Sequence, residues 1–149
     1  MSEIATEEKY LIFSVKEKCY ALLSKIISEV AVLEKVFPLP LTPAYVRGII
    51  NRYSAPYALI DINSLLFNEA SKAQKVIILK EEVDKLALLI DDVSDIADIT
   101  EEKLMKIDQE ETPASASIKA YFEWKGNPVF CFDEEELINL IKQDFNLQG

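Results

Sequence analysis

The stretch from Gly48 to Asp61, which reads Gly-Ile-Ile-Asn-Arg-Tyr-Ser-Ala-Pro-Tyr-Ala-Leu-Ile-Asp, decides the fold class. Residues 48–51 begin one strand, and the apolar run 57–60 forms a second strand that stops at Asp61. Aspartate is a good helix N-cap, so we expect a short helix that follows it and extends through Leu66. The stretch therefore predicts two neighbouring strands and a capped helix.

The same order of elements recurs near the C-terminus. Residues 117–124 and 128–132 predict a hairpin, and its second strand ends at Asp133. Glu136 follows three residues later, as in a capping box. An apolar stripe at helical spacing then predicts a C-terminal helix, and it consists of Leu137, Ile138, Ile141 and Phe145.

Short apolar runs fill most of the remaining chain. They predict strands or extended segments at 9–15, 19–23, 29–36, 76–79 and 86–90. The polar stretch 68–74 is the best candidate for a linker. Many short strands, few helices and the internal repeat predict a mainly β protein made of two small barrels that are built alike.

The composition argues against an enzyme. The chain has 149 residues, a formal net charge of -10 and no histidine, so the commonest general base and zinc ligand are missing. Cys19 and Cys131 lie in or beside apolar runs, and we expect buried thiols rather than a disulfide. The negative charge disfavours nucleic acid and anionic membranes. We expect no catalytic residue, no cofactor and no metal.

An acidic segment and the N-terminus complete these exclusions. On a strand, Asp91 and Asp95 would share one face while Asp92 and Asp98 share the other, which splits any set of metal ligands. We expect these aspartates to charge a sheet edge and so oppose association of edges. Residues 1–9 lack a secretory signal, and the apolar runs are too short to span a bilayer.

Several separated segments resemble the CheW family of chemotaxis adaptor proteins. They occur in the family's order over nearly the whole chain, and the ten-residue step from Asn51 to Asp61 is that of the family. The segments are Tyr10–Val15 with Tyr20 and Ala21, Ile27–Val30, Pro43–Asn51 with Leu59–Asp61, Leu88–Val93, and Ile118–Asp133 with Leu137.

The chain departs from the family at Tyr53 and Ser54, where the family has an arginine-glycine pair whose surface matters for coupling. Arg52 lies one position earlier, so on a strand its side chain would face the other way. The sequence thus resembles a diverged member of the family.

The resemblance implies a fold and a function. The fold is one domain over residues 1–149, with two intertwined five-stranded SH3/OB-like β-barrels, a few short helices and a C-terminal helix. The sub-barrels would fall roughly at 8–70 and 75–149, and strands can be exchanged between them. The function is that of a non-enzymatic, cytoplasmic bacterial adaptor. It would link the chemoreceptor tip to the regulatory domain of a CheA-type histidine kinase, in receptor arrays and without direct membrane contact.

The resemblance also implies partner-binding residues. Ile27, Glu29 and Val30 would lie near the groove that receives the helical receptor tip. Gly48, Ile49, Asn51, Tyr53 and Ser54 would lie on the coupling surface. Purely structural roles stay open for the same positions: the apolar residues suit a core, Glu29 a solvated surface, and Gly48 and Asn51 a turn.

Two further functions also stay open. The missing arginine-glycine pair favours a kinase-only competitor, or an adaptor of a non-flagellar sensory pathway such as surface motility. A small ligand- or nucleic-acid-binding β-barrel is a remote alternative, because small barrels often bind oligonucleotides. The net charge and the lack of a basic, aromatic-lined face oppose nucleic acid.

Overall fold

The computed structural model describes residues 7–107 and 117–148, which contain eleven strands and two α-helices. The strands are β1 (Glu7–Val15), β2 (Lys18–Leu23), β3 (Ile27–Val32), β4 (Val46–Arg52), β5 (Ala55–Asp61), β6 (Lys75–Leu79), β7 (Leu86–Ile90), β8 (Asp92–Thr100), β9 (Met105–Lys106), β10 (Ile118–Trp124) and β11 (Asn127–Phe132). The helices are α1 (Ile62–Phe67) and α2 (Glu134–Gln148), and short 3-10 helices occupy Ser24–Ile26 and Glu101–Lys103.

The strands form two sheets. Sheet A has six strands in the order β8-β1-β2-β11-β10-β9, and sheet B has five in the order β3-β6-β7-β5-β4. The predicted fold class, mainly β with two barrel-like sheets and few helices, is confirmed. Sheet A exceeds the expected five strands by β9, a two-residue strand at its edge.

The chain passes from one sheet to the other and back. Sheet A takes β1 and β2 from the N-terminal part and β8–β11 from the C-terminal part, whereas sheet B takes β3–β7 from the middle. The division into sub-barrels at 8–70 and 75–149 stays a prediction.

The two sheets are built alike, strand by strand. The order β3-β6-β7-β5-β4 corresponds to β8-β1-β2-β11-β10. In each sheet one pair is parallel, β5 with β7 and β11 with β2, and the other corresponding pairs are antiparallel. The internal repeat that the sequence predicts is therefore a repeat of the whole sheet topology.

The two aspartates predicted to be N-caps, Asp61 and Asp133, each accept a hydrogen bond from the first turn of a helix. The N–H of Ser64 donates to Asp61 Oδ1 at 3.1 Å, and the N–H of Glu136 donates to Asp133 Oδ1 at 3.1 Å. The N–H of Asp133 donates to the carbonyl of Ser117 at 2.6 Å. In a capping box, the Glu136 side chain would accept a hydrogen bond from the N–H of Asp133. That N–H is engaged by Ser117, so the prediction of a capping box is wrong.

Both faces of the sheets contribute to apolar clusters. Along β1, Leu11 and Phe13 enter a central cluster that both sheets share, while Tyr10 and Ile12 enter a cluster within sheet A. A third cluster, which includes Tyr57 and Leu59, belongs to sheet B. Helix α2 covers the central cluster with Leu137 and Ile141, and the side chain of Phe145 lies outside the described residues. This shared core fixes the sheets against each other.

Three hairpins turn through two residues that have positive φ angles. The turns are Lys16-Glu17, Tyr53-Ser54 and Lys125-Gly126. Two successive left-handed residues form a type I′ turn, which suits the twist of a hairpin but favours glycine. A residue with a side chain meets a steric cost at these positions.

Replacing Ser54 with glycine is expected to raise the free energy of unfolding by about 1 kcal/mol, because Ser54 adopts φ 60°. Chemical denaturation of the wild type and the variant measures the difference. Ser54→Ala serves as the control, since alanine meets the same steric cost and should bring no gain. A Ser54→Gly variant that is no more stable than wild type would contradict the conformational assignment.

Three of the four aspartates expected to charge a sheet edge, Asp92, Asp95 and Asp98, belong to β8 at an edge of sheet A, whereas Asp91 precedes that strand. Asp92 pairs with Lys75, Asp95 with Lys125 and Asp98 with Lys9, so each side chain has its own basic partner. Within residues 7–107 and 117–148, no group of three or more His, Cys, Asp or Glu side chains is arranged to hold a metal ion. In the same ranges, no helix is long and apolar enough to cross a membrane.

The two cysteines are free thiols in different surroundings. Burial raises the pKa of the Cys131 thiol to about 12, whereas Cys19 is only half-buried. Because the thiolate is the reactive form, we expect Cys131 to resist a thiol reagent at about pH 8 in the folded protein. A colorimetric assay should count at most one fast thiol before denaturation and both afterwards. Two fast thiols in the folded protein would contradict the burial of Cys131.

Candidate partner-binding surface

The two edge strands of sheet B, β3 and β4, face each other across a gap that we call the seam. At one end, Arg52 crosses it: Nε donates to Glu29 Oε1 at 2.6 Å, and Nη2 donates to the same oxygen. Beside this ion pair, the hydroxyls of Ser28 and Tyr53 are 2.9 Å apart and share a hydrogen bond. The hydrogen bond that Arg52 donates to the Glu29 carboxylate raises the pKa of Arg52, so the guanidinium stays charged.

At the other end, the seam is closed by backbone. The N–H of Phe37 donates to the carbonyl of Ile49, and the N–H of Ile49 donates to the carbonyl of Phe37, both at 2.8 Å. Between the two closures lies a groove of about 200 Å3. Val32 and Ile50 line it from the two strands, and Val76 from β6 contributes to its lining.

Several exposed apolar side chains belong to the segments that form the seam or connect its two strands. Among the described residues, six of the eight large hydrophobic side chains that are exposed lie between residues 30 and 53. They are Val30, Val32, Phe37, Leu39, Leu41 and Tyr53. A group of exposed apolar side chains on neighbouring strands, such as Val30, Val32 and Phe37 beside the groove, is typical of a protein-binding surface, whereas single exposed hydrophobics are ordinary.

The predicted partner-binding residues fall into two groups. Glu29, Val30, Asn51, Tyr53 and Ser54 are exposed or half-exposed, and the structure brings them together around the seam. Their role in binding stays a prediction.

The remaining three have structural contacts. Ile27 packs against the central apolar cluster, and Ile49 forms the backbone bridge to Phe37. Gly48 is buried within β4, and a Cβ there would lie 2.3 Å from the carbonyl oxygen of Phe37. Its lack of a side chain thus serves close packing of two backbones within the sheet rather than a tight turn.

Arg52 is the functional candidate that sequence reasoning missed. The expectation that its side chain would face away assumes that strand geometry continues through Tyr53. Tyr53 instead lies in the left-handed turn, with φ 52°, and the side chain of Arg52 reaches across the seam to Glu29. The opposite charges of the two residues are visible in the sequence, but their proximity depends on how the two edges of sheet B approach each other.

Two similar sheets around a shared core, with an exposed apolar seam on one of them, define a two-sheet β domain. The chain belongs to the CheW-like domain family, whose model matches residues 9–142. Among solved structures, it is similar to the scaffolding protein TtCheW from Thermoanaerobacter tengcongensis. The TM-score is 0.76 at 21% identity, over 85% of this chain and 89% of that one. This likeness concerns the fold, and no curated protein matches the sequence.

Proposed function

We propose that this protein is a non-enzymatic adaptor that binds the regulatory domain of a CheA-type histidine kinase and the tip of a chemoreceptor. Membership of the CheW-like family supports this role, since the resemblance in sequence extends over residues 9–142. In this proposal the protein acts in the cytoplasm and joins receptor arrays through its partners. Its function would consist of holding two proteins at one place.

The observation that carries the proposal is the apolar seam. A protein-binding surface needs exposed apolar side chains in a preformed arrangement, because ordering flexible groups on binding lowers affinity. Val30, Val32 and Phe37 are exposed, and the ion pair between Glu29 and Arg52 holds the β3 edge to the hairpin. Of the predicted partner-binding residues, Asn51 lines the same groove, and Glu29 and Tyr53 make the contacts that cross the seam at one end.

The ion pair also bears on the alternative of a kinase-only competitor. That alternative rests on the absence of the family's arginine-glycine pair, where the chain has Tyr53 and Ser54. Arg52 supplies a guanidinium to the seam from the adjacent position, and Tyr53 adds a hydrogen bond to Ser28. These contacts favour a protein that binds both partners.

Replacing Val30 with glutamate tests the proposed surface. Val30 is 41% exposed, so the variant should fold, yet a charge on the apolar surface is expected to weaken kinase-domain binding by about tenfold or more. Ile96 provides a matched control, because it is exposed to 55% on β8, the corresponding edge strand of sheet A. Ile96→Glu should bind within about threefold of wild type. Equal affinities of wild type and Val30→Glu for the kinase domain would contradict the assignment of the seam as the binding surface.

A further inference from the structure

The corresponding edge strands of the two sheets differ in how well they are protected. β8 carries three aspartates, and charges along an edge prevent it from pairing with another chain. β3 has the sequence Ile-Ser-Glu-Val-Ala-Val, and its single charge, on Glu29, is engaged by Arg52. Val30 and Val32 are 41% and 66% exposed. The β3 edge therefore carries one charged residue where its counterpart carries three, and its exposed side chains include two valines.

The hydrogen-bond pattern shows which backbone groups of β3 point into the seam. The N–H of Leu33 donates to the carbonyl of Gln74 at 2.6 Å, so Leu33 belongs to a hydrogen-bonded pair with the β6 side. In an antiparallel ladder such pairs alternate with pairs whose N–H and C=O groups point outward. Val32 lies opposite Lys75, and Val30 lies opposite Ile77. By this alternation, the backbone N–H and C=O groups of both valines point away from β6 and into the seam.

β4 offers matching groups on the opposite side of the seam. Ile49 exchanges both its backbone bonds with Phe37, which lies outside β5, so its N–H and C=O point away from β5. Asn51, two residues later, points the same way. Among the described residues, no backbone hydrogen bond joins β3 to β4 between Phe37 and the ion pair. The groove thus has backbone donors and acceptors on both sides.

These features select an extended strand as the occupant. The exposed side chains of β3 recur with the two-residue period of a strand, at Ser28, Val30 and Val32. An added strand satisfies the free backbone groups and packs alternate side chains on this row, whereas a helix has no free backbone groups along its length to offer. We infer that β3 pairs with an extended, apolar strand of the kinase regulatory domain, through the outward backbone groups of Val30 and Val32. This inference rests on the proposed function and adds how the partner is bound.

A proline substitution separates backbone pairing from side-chain contact. Val32→Pro removes the outward N–H, and proline is tolerated on an edge strand where the N–H faces solvent. Val32→Thr is the matched control, because it keeps the N–H and the branched shape of valine. With the CheA-type regulatory domain as the probe, the proline variant should lose about tenfold or more in affinity, and the threonine variant about threefold or less. Equal losses in the two folded variants would overturn strand pairing.

Hydrogen exchange of the wild-type protein gives a second readout that needs no variant. We expect the amides of Val30 and Val32 to exchange more slowly with the kinase domain bound, and also with a synthetic peptide of alternating valine and threonine at millimolar concentration. If calorimetry shows binding to the kinase domain but these amides are not protected, the proposed function stands and strand pairing is overturned. Protection by the peptide without kinase binding would support strand pairing and count against the proposed partner. Protection by neither probe, or protection that needs only a second copy of this chain, would overturn the inference.

Discussion

Replacing Asp61 with alanine is expected to lower the free energy of unfolding by about 3 kcal/mol. Asp61 is fully buried, and its carboxylate accepts hydrogen bonds from three parts of the chain. The N–H groups of Ser64 and Ser71 donate to it at 3.1 and 2.9 Å, and Arg47 Nη1 donates at 2.9 Å. Alanine would leave two backbone N–H groups without this acceptor and would remove the cap of α1.

The repeat supplies a matched control for this prediction. Asp133 caps α2 in the corresponding position of sheet A, but it is only half-buried, and among the described residues its side chain accepts from the N–H of Glu136 alone. Its replacement by alanine should cost about 1 kcal/mol, the value of an ordinary N-cap. Urea denaturation of both variants measures the contrast. Equal losses for the two aspartates would mean that the bonds from Arg47 and Ser71 contribute nothing to stability.

Replacing Gly48 with alanine is expected to destabilise the protein by about 3 kcal/mol or more. A Cβ at this position would lie 2.3 Å from the carbonyl oxygen of Phe37 and 2.9 Å from the Cα of Pro38, and both are backbone atoms. The φ angle of Gly48 is 139°, which residues with a side chain rarely adopt, so backbone strain adds to the steric cost. The variant must therefore move the Phe37 segment away from β4, which would also open one end of the seam.

Gly126 is the control for Gly48. It has a φ angle of 83°, but a Cβ there would meet nothing within 4 Å. Gly126→Ala should therefore cost about 1 kcal/mol, from backbone conformation alone. Thermal or chemical denaturation of the two variants separates the steric effect from the conformational one. A Gly48→Ala variant as stable as Gly126→Ala would contradict the close approach of Phe37 to β4.

Much of the fold could be predicted because its determinants are local. The apolar runs at 57–60 and 129–132 are each followed by an aspartate. Each run identifies a strand, and each aspartate identifies the start of a helix one or two residues after that strand ends. The continuous apolar run at 86–90 identifies β7, whose five residues are all buried. Such patterns depend on the period of a strand or helix and on capping chemistry, and both act over short distances.

The seam could not be predicted, since its determinants are distant in sequence. Arg52 and Glu29 belong to strands at opposite ends of the order of sheet B, and only the approach of those two edges brings them together. The buried position of Gly48 likewise depends on where the loop at Phe37 packs. Family resemblance leads to an expectation about which residues bind partners, but it does not distinguish a surface residue such as Tyr53 from a packing position such as Gly48.

The most direct test of the adaptor function is a calorimetric titration of this protein with the kinase regulatory domain from its own organism, and then with the receptor tip. We predict saturable binding to both, with the receptor tip still bound when the kinase domain is present. Binding to the kinase domain alone would favour a competitor. Binding to neither partner, by protein whose circular dichroism shows it to be folded, would contradict the adaptor function.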